Sequence, residues 1–238
     1  RQGHFKDLDL LLADNFIRAA EEAGLEHVIY LSGIMPNESE KQLSSHLKSR
    51  LEVESVLRSR SVKVTVLRAG IIFGPGGSSF SILINLVRRL PIMIFPAWTH
   101  SMTQSIDIND VCRAFRLCFE SSIYKGGTFD LSGHKPMSYK QLVKRVAQKL
   151  GRSFLSISIP FNFFFFAKHW LSILGGVPLA LAEPLQKSLI HDLRSEPNAL
   201  SEALKDGLTS FDRSFDLSVY GDGSPKPNPR SKTQKKDT

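Results

Sequence analysis

Cysteine is nearly absent from this sequence of 238 residues. Cys112 and Cys118 stand alone, six apart on an expected helix, a spacing that suits neither a C-x-x-C redox pair nor a zinc site. That excludes a disulfide-stapled scaffold, argues against a metal centre, and points to a reducing, cytoplasmic setting. Long apolar runs are missing too. The most apolar stretch, Phe154 to Ala182, is interrupted by Pro160, Lys168, His169, Gly175, Gly176 and Pro178. A spanning helix needs roughly 20 apolar residues in a row, so a pair of buried or interface helices is expected instead. The Phe161 to Trp170 cluster keeps a place peripheral to a membrane surface open as a second reading. No internal repeat is visible, and no initiator methionine precedes Arg1.

What is present is an ordinary globular composition, 42% hydrophobic and 23% charged. The net charge of +8 invites a nucleic-acid reading, but residues 224–238 carry Lys226, Arg230, Lys232, Lys235 and Lys236 against Asp237 alone. Half of the excess therefore belongs to a proline-containing tail with nothing apolar to bury, expected to be disordered over 222–238. With no aromatics interleaved among these charges, nucleic-acid binding is set aside.

The periodicity alternates. Leu8, Leu11, Leu12, Phe16, Ala19 and Ala20 recur at helical steps over residues 7–23, with Gly24 as a stop. The run 27–32 (HVIYLS) has the unbroken apolar character of a strand buried on both faces. A helix over 46–57 and a strand over 62–67 follow, then a glycine turn at 74–77 and a helix over 79–90. Further strands are expected at 92–95, 106–108 and 127–132, with a helix capped by Asn109 or Asp110 after the second of them. Ser138 opens a capping box with Gln141 for a helix ending at Gly151. Helix alternating with strand predicts an α/β fold, a doubly wound parallel sheet over residues 1–150, with a smaller, mostly helical lobe over 151–221.

The most informative arrangement is a strand ending in Ser32, followed by a helix on which His46 and Arg50 lie one turn apart on one face. Open parallel sheets bind ligands at the carboxyl ends of their strands, where this trio would meet. The bland alternative makes Ser32 a strand-end residue, His46 a partly exposed residue near a helix start, and Arg50 a surface partner of Glu54. The run 67–77 (LRAGIIFGPGG) brings a strand end and a flexible turn to the same edge, or is simply the turn into the next helix.

Four words, HVIYLSG at 27–33, HLKSRLEVESVLRS at 46–59, VTVLRAGIIFGPG at 64–76 and SIDINDVCRAF at 105–115, together resemble the short-chain dehydrogenase/reductase superfamily, in particular its atypical, NmrA-like and epimerase-like NAD(P)-binding members. The resemblance implies a Rossmann-type fold and NAD or NADP as cofactor. It implies a small carbonyl or hydroxyl compound as substrate and a role as oxidoreductase or epimerase-like enzyme. Position by position it implies Ser32, His46 and Arg50 as catalytic residues. Leu31, Arg50, Ala69, Gly70 and Ile71 would contact the cofactor, and Gly33, Phe73 and Gly74 the substrate. Asp110 would match a helix-capping aspartate.

This chain departs from the family pattern in having His46 where the family has Tyr and Arg50 where it has Lys. Arginine holds hydroxyls well but does not relay a proton. A non-catalytic protein that senses or retains the dinucleotide, or an assembly subunit, is the competing expectation. The resemblance also places the G-x-G-x-x-G phosphate loop and its acidic ribose partner, found nowhere in this sequence, upstream of a helix like 7–23. On ordinary βα unit lengths it leads one to expect roughly 70 residues before Arg1, an incomplete sheet, and weak cofactor binding by this chain alone.

Overall fold

The computed structural model describes residues 2–161 and 188–221. The chain opens with helix α1 (Gln2–Glu22), which closes at Gly24 with φ +68°, a conformation glycine adopts without strain. The Leu25 N–H then returns 2.9 Å to the Ala20 carbonyl and aims the chain into strand β1 (His27–Gly33). Helix α2 (Ser45–Leu57) begins where the Ser44 hydroxyl accepts from the Leu47 N–H, and it delivers the chain to strand β2 (Lys63–Ala69).

β1 and β2 run parallel, with Leu31 beside Leu67 and Ser32 beside Arg68. Strand β7 (Thr128–Asp130) joins the other side of β2, also parallel, and sets Asp130 beside Arg68. The order β1-β2-β7 confirms the expected parallel α/β arrangement and makes β1 an edge among the described residues.

Strand alternation sends the sheet's side chains into two layers. Val28, Val64 and Val66 pack under α1 and α2 with Ala13, Ile17, Val53 and Leu57. Leu67 and Ile106 lie on the other side with Val111, Ala114 and Cys118. These last come from helix α4 (Ile108–Glu120). Beyond β2 the backbone passes through Gly70 into β3 (Ile71–Phe73), paired with β6 (Ser105–Asp107). A Cβ at Gly70 would stand 1.9 Å from the Gln104 carbonyl oxygen, so only glycine lets the two backbones meet there. Helix α3 (Ser78–Arg89) leads to β4 (Ile92–Phe95), and α5 (Tyr139–Lys149) carries the capping box expected at its start. Ser138 Oγ accepts from the Gln141 N–H, and the Ser138 N–H donates to Gln141 Oε1.

The cap of α4 requires a correction. Neither Asn109 nor Asp110 fills it: β6 runs straight into the helix, and Asp107, still in extended conformation, accepts from the Asn109 N–H at 2.8 Å. Asp110 is buried in the first turn and accepts from the Thr209 N–H and from Arg113.

Several short elements have no visible signature in the sequence. Strands β5 (Met102–Thr103) and β8 (Met137–Ser138) pair antiparallel, and β9 (Leu155–Ser158) pairs parallel with β4. Helices α6 (Ala199–Leu204) and α7 (Phe211–Tyr220) return to the core. Leu200 and Leu204 join the cluster around Leu67, while Phe211 and Phe215 join Phe73, Phe80, Phe95 and Val146 in the third cluster. The aromatic run after Phe161, much of the expected helical lobe and the basic tail lie outside the described residues. Among the described residues no helix is long and apolar enough to cross a membrane.

Candidate functional site

The carboxyl ends of β1 and β2 open into a cleft of about 430 Å³. Leu31, Ser32, Gly33, Arg50, Ala69, Gly70 and Gly74 all line it, joined by Ile72, Pro75, Gly77 and Ile108. The structure thus gathers most of the expected residues at one place. Ile71 and Phe73 are not among its walls: Ile71 packs against the third cluster, and Phe73 is fully buried there with its ring 4.1 Å from that of Phe80. The period-2 alternation of β3 turns both inward and leaves Ile72 to face the cleft.

Ser32 is 4% exposed, and its hydroxyl has no hydrogen-bond partner among the described residues. Leaving a buried hydroxyl unpaired costs about 1–3 kcal/mol, so a bound molecule that engages it gains what the free protein forgoes. The Arg50 side chain crosses the end of β1 directly above Gly33, where a Cβ would meet its Cδ at 3.5 Å. Gly74 packs so closely on Ile108 that a Cβ would fall 2.7 Å from that side chain, which fixes the turn against the start of α4.

His46 lines a neighbouring cleft of about 470 Å³ along the unpaired side of β1, with Asp9, Phe16, Tyr30 and Val53. Arg50 belongs to both clefts and joins them: its Nε donates to His46 Nε2 at 3.2 Å. That bond needs the Nε2 lone pair, so the imidazole is neutral with its proton on Nδ1. Burial, and then the Arg50 cation, hold the His46 pKa below the usual histidine range, with Asp9 opposing weakly. The Arg50–Glu54 pair of the bland alternative does not form. Glu54 instead grips Arg68 through two bonds, Nη2 to Oε2 at 2.6 Å and Nε to Oε1 at 3.2 Å. A guanidinium inside a strand of the sheet needs a counter-charge more than one on the helix surface does.

A third, more polar cleft of about 710 Å³ lies between the 35–38 loop, Arg68, Asp130 and residues 190–196. Glu38, Asp130, Asp192 and Glu196 face it together with Arg68 and Arg194. Asp130 accepts from the Glu196 N–H at 3.1 Å, and its carboxyl pKa is raised chiefly by burial. Sequence reasoning misses Tyr30, Glu54, Arg68 and Asp130 as neighbours of these clefts. The available signal is the position of Tyr30 and Arg68 inside otherwise apolar strand words, since a polar group in a buried strand demands a partner. Among the described residues no group of three or more His, Cys, Asp or Glu is placed to hold a metal ion.

No family model matches the chain, and no curated protein matches it in sequence. Solved structures do match in shape. The NADPH-dependent quinone oxidoreductase of Escherichia coli, complexed with NADPH, superposes with a TM-score of 0.64 at 21% identity, over 83% of this chain and 67% of that one. The triphenylmethane reductase of Citrobacter sp., complexed with NADP(H), gives 0.68 at 18% identity, over 90% of this chain and 72% of that one. A nucleoside-diphosphate-sugar epimerase of Staphylococcus aureus gives 0.61 at 18% identity, over 83% and 67%. The chain has the Rossmann-type α/β fold of these proteins.

Proposed function

We propose that the protein is an NAD(P)-binding member of the short-chain dehydrogenase superfamily, of the NmrA-like or epimerase-like kind, acting on a small carbonyl or hydroxyl compound. The observation that carries this reading is the unpartnered, buried Ser32 hydroxyl beside Arg50, in a glycine-walled cleft at the carboxyl ends of two parallel strands. Two of the proteins of like shape are complexes with NADPH and NADP(H), which supports the choice of ligand.

The cleft fits the nicotinamide end of such a cofactor. Ser32 offers an unused donor, Arg50 a cation across Gly33, and Ala69 and Gly70 a backbone wall without bulk. When bound, NAD(P) supplies or accepts hydride. The protein's own residues do the rest. Ser32 donates a hydrogen bond to a substrate oxygen, and Arg50 donates to ribose hydroxyls or to a developing negative charge. His46, on the far side of Arg50, fixes the guanidinium plane. The polar cleft at Arg68 and Asp130 is contiguous in the sheet with Ser32 and would receive the substrate's hydroxyl-bearing part.

The test is twofold: calorimetric binding of NADPH and NADH, then NADPH oxidation across a carbonyl panel, both repeated in Ser32→Ala. Turnover lost with binding kept supports the assignment of Ser32; turnover unchanged removes it.

A second reading, retention of the dinucleotide without turnover, is favoured by the Arg50 to His46 bond. It occupies the imidazole lone pair that a general base would use, and Arg50 stays protonated throughout. Under that reading NADPH binds and no carbonyl compound oxidises it.

A further inference from the structure

The β4–β9 ribbon lies away from the clefts and shows a different chemistry on its outer face. Parallel register sets Ile92 beside Leu155 and Ile94 beside Ile157. Met93 and Phe95 turn into the core, so Ile92, Ile94, Leu155 and Ile157 share the outer face, between 41% and 62% exposed. Phe161, 65% exposed, follows at the ribbon's end. Scattered surface leucines need no explanation; two directly opposed apolar pairs on one ribbon do.

The charges carried by the elements that build this face are all of one sign. α3, β4, α5 and β9 come from two stretches without a single Asp or Glu, one between Glu54 and Asp107 and the other between Asp130 and Glu183. At the ribbon's start the Arg152 guanidinium donates to the Arg88 carbonyl, which sets its charge at the end of α3 just before Ile92, and both arginines are exposed. At its other end Lys140 donates to Ser158 Oγ at 2.8 Å and lies 5.5 Å from the Phe95 ring centroid, and because Ser158 pairs with the inward-turned Phe95 this cation serves the inner face. The carboxylates nearest to α5, Asp212 and Asp216 on α7, are already engaged by Arg145 and Lys149.

An apolar face with two exposed arginines at its start and no carboxylate among its own elements matches a lipid surface of negative charge. We propose that the outer face of the β4–β9 ribbon docks on an anionic bilayer, with Ile92, Ile94, Leu155 and Ile157 entering the headgroup boundary and Arg88 and Arg152 meeting lipid phosphates. Apolar area supplies affinity and the cations supply selectivity for charge. This docking needs no nucleotide, so it stands or falls separately from the dinucleotide reading.

The test is flotation of the full chain with vesicles of phosphatidylcholine alone and of phosphatidylcholine mixed with phosphatidylglycerol. Binding is expected with the mixed vesicles, weakening as salt rises. The variant Arg88→Gln/Arg152→Gln should bind about tenfold or more weakly, because each cation near a charged bilayer contributes a several-fold factor. Ile94→Asp/Ile157→Asp should lose flotation while its melting temperature stays that of the parent.

Absence of flotation with either vesicle, or flotation indifferent to lipid charge and to both variants, overturns the proposal. So does a fall in melting temperature in Ile94→Asp/Ile157→Asp, which would mean that the chain covers its own ribbon. A dimer in sedimentation that this variant dissociates would assign the face to a second copy and overturn the proposal equally.

Discussion

Replacing Glu54 with leucine should expose how the charged row under the site is held. The Glu54 side chain is 5% exposed and Arg68 20%, and two hydrogen bonds join them. Removing one partner of a buried pair costs about 3–5 kcal/mol, because the other charge is left without compensation. Two features reduce that here: Arg68 touches the polar cleft, and Asp130 lies beside it in register as a substitute counter-charge. A loss of about 2–3 kcal/mol is therefore expected, which for a protein of this size corresponds to a fall of roughly 5–10 °C in melting temperature.

The double variant Glu54→Leu/Arg68→Met removes both charges and should recover most of the loss, since an apolar pair of similar volume is often neutral. Urea unfolding monitored by circular dichroism gives both values. A Glu54→Leu cost below about 0.5 kcal/mol, or a double variant no better than the single one, would refute the view of Glu54 as the counter-charge that Arg68 requires.

Other substitutions separate structure from site. Gly70→Ala places a Cβ where the Gln104 carbonyl oxygen stands and should cost about 3 kcal/mol or more, seen as loss of soluble, folded protein. Gly33→Ala meets only the Arg50 side chain at ordinary contact distance, so stability should hold while dinucleotide affinity falls; an unchanged affinity would take Gly33 out of the site. Ser138→Ala removes the capping hydroxyl of α5 and should cost about 1 kcal/mol in urea unfolding, with nucleotide binding intact.

Stability should also fall in mild acid. His134 is buried between the Ser105 and Ser214 hydroxyls, and burial holds its pKa below the ordinary value of 6.5. The unfolded chain takes up that proton first, so the contribution is complete above pH 6.5 and is lost as pH falls toward the lowered native pKa. His27 and His46 are shifted the same way and add to the trend. Unfolding midpoints at mildly acidic and neutral pH should differ in that sense, and by less in His134→Asn.

The sheet and its helices are legible in the sequence because strands and helices alternate with clear periods, each bounded by glycine or a capping residue. Ser138 and Gln141 spell out their capping box, whereas Asp107 is hidden as a cap because strand and helix meet there with no loop between them. β5, β8 and β9 are short and take their pairing from distant partners, a signal that local pattern does not carry.

At the site, Ser32 and Arg50 are readable from their places at a strand end and on one helix face, whereas Gly33, Ala69 and Gly70, which line the same cleft, are implied only by the family resemblance. The partners of the charges are not. Helical spacing favours Arg50 with Glu54, but the sheet brings Arg68 under Glu54 and leaves Arg50 to His46. Tertiary contact decides between two locally reasonable pairings, as it does where β3 turns Phe73 into the core and Ile72 toward the cleft.

The central claim is that a dinucleotide occupies the cleft between Ser32, Arg50 and Gly70. Its most direct measurement is calorimetric titration of NADPH and NADH into the protein as its cell makes it, alongside Arg50→Met. The expected result is saturable binding of at least one dinucleotide, weakened about fivefold or more when the Arg50 guanidinium is gone, as befits loss of a charged hydrogen bond. Binding equal in both proteins, or no binding of either dinucleotide, would contradict the claim.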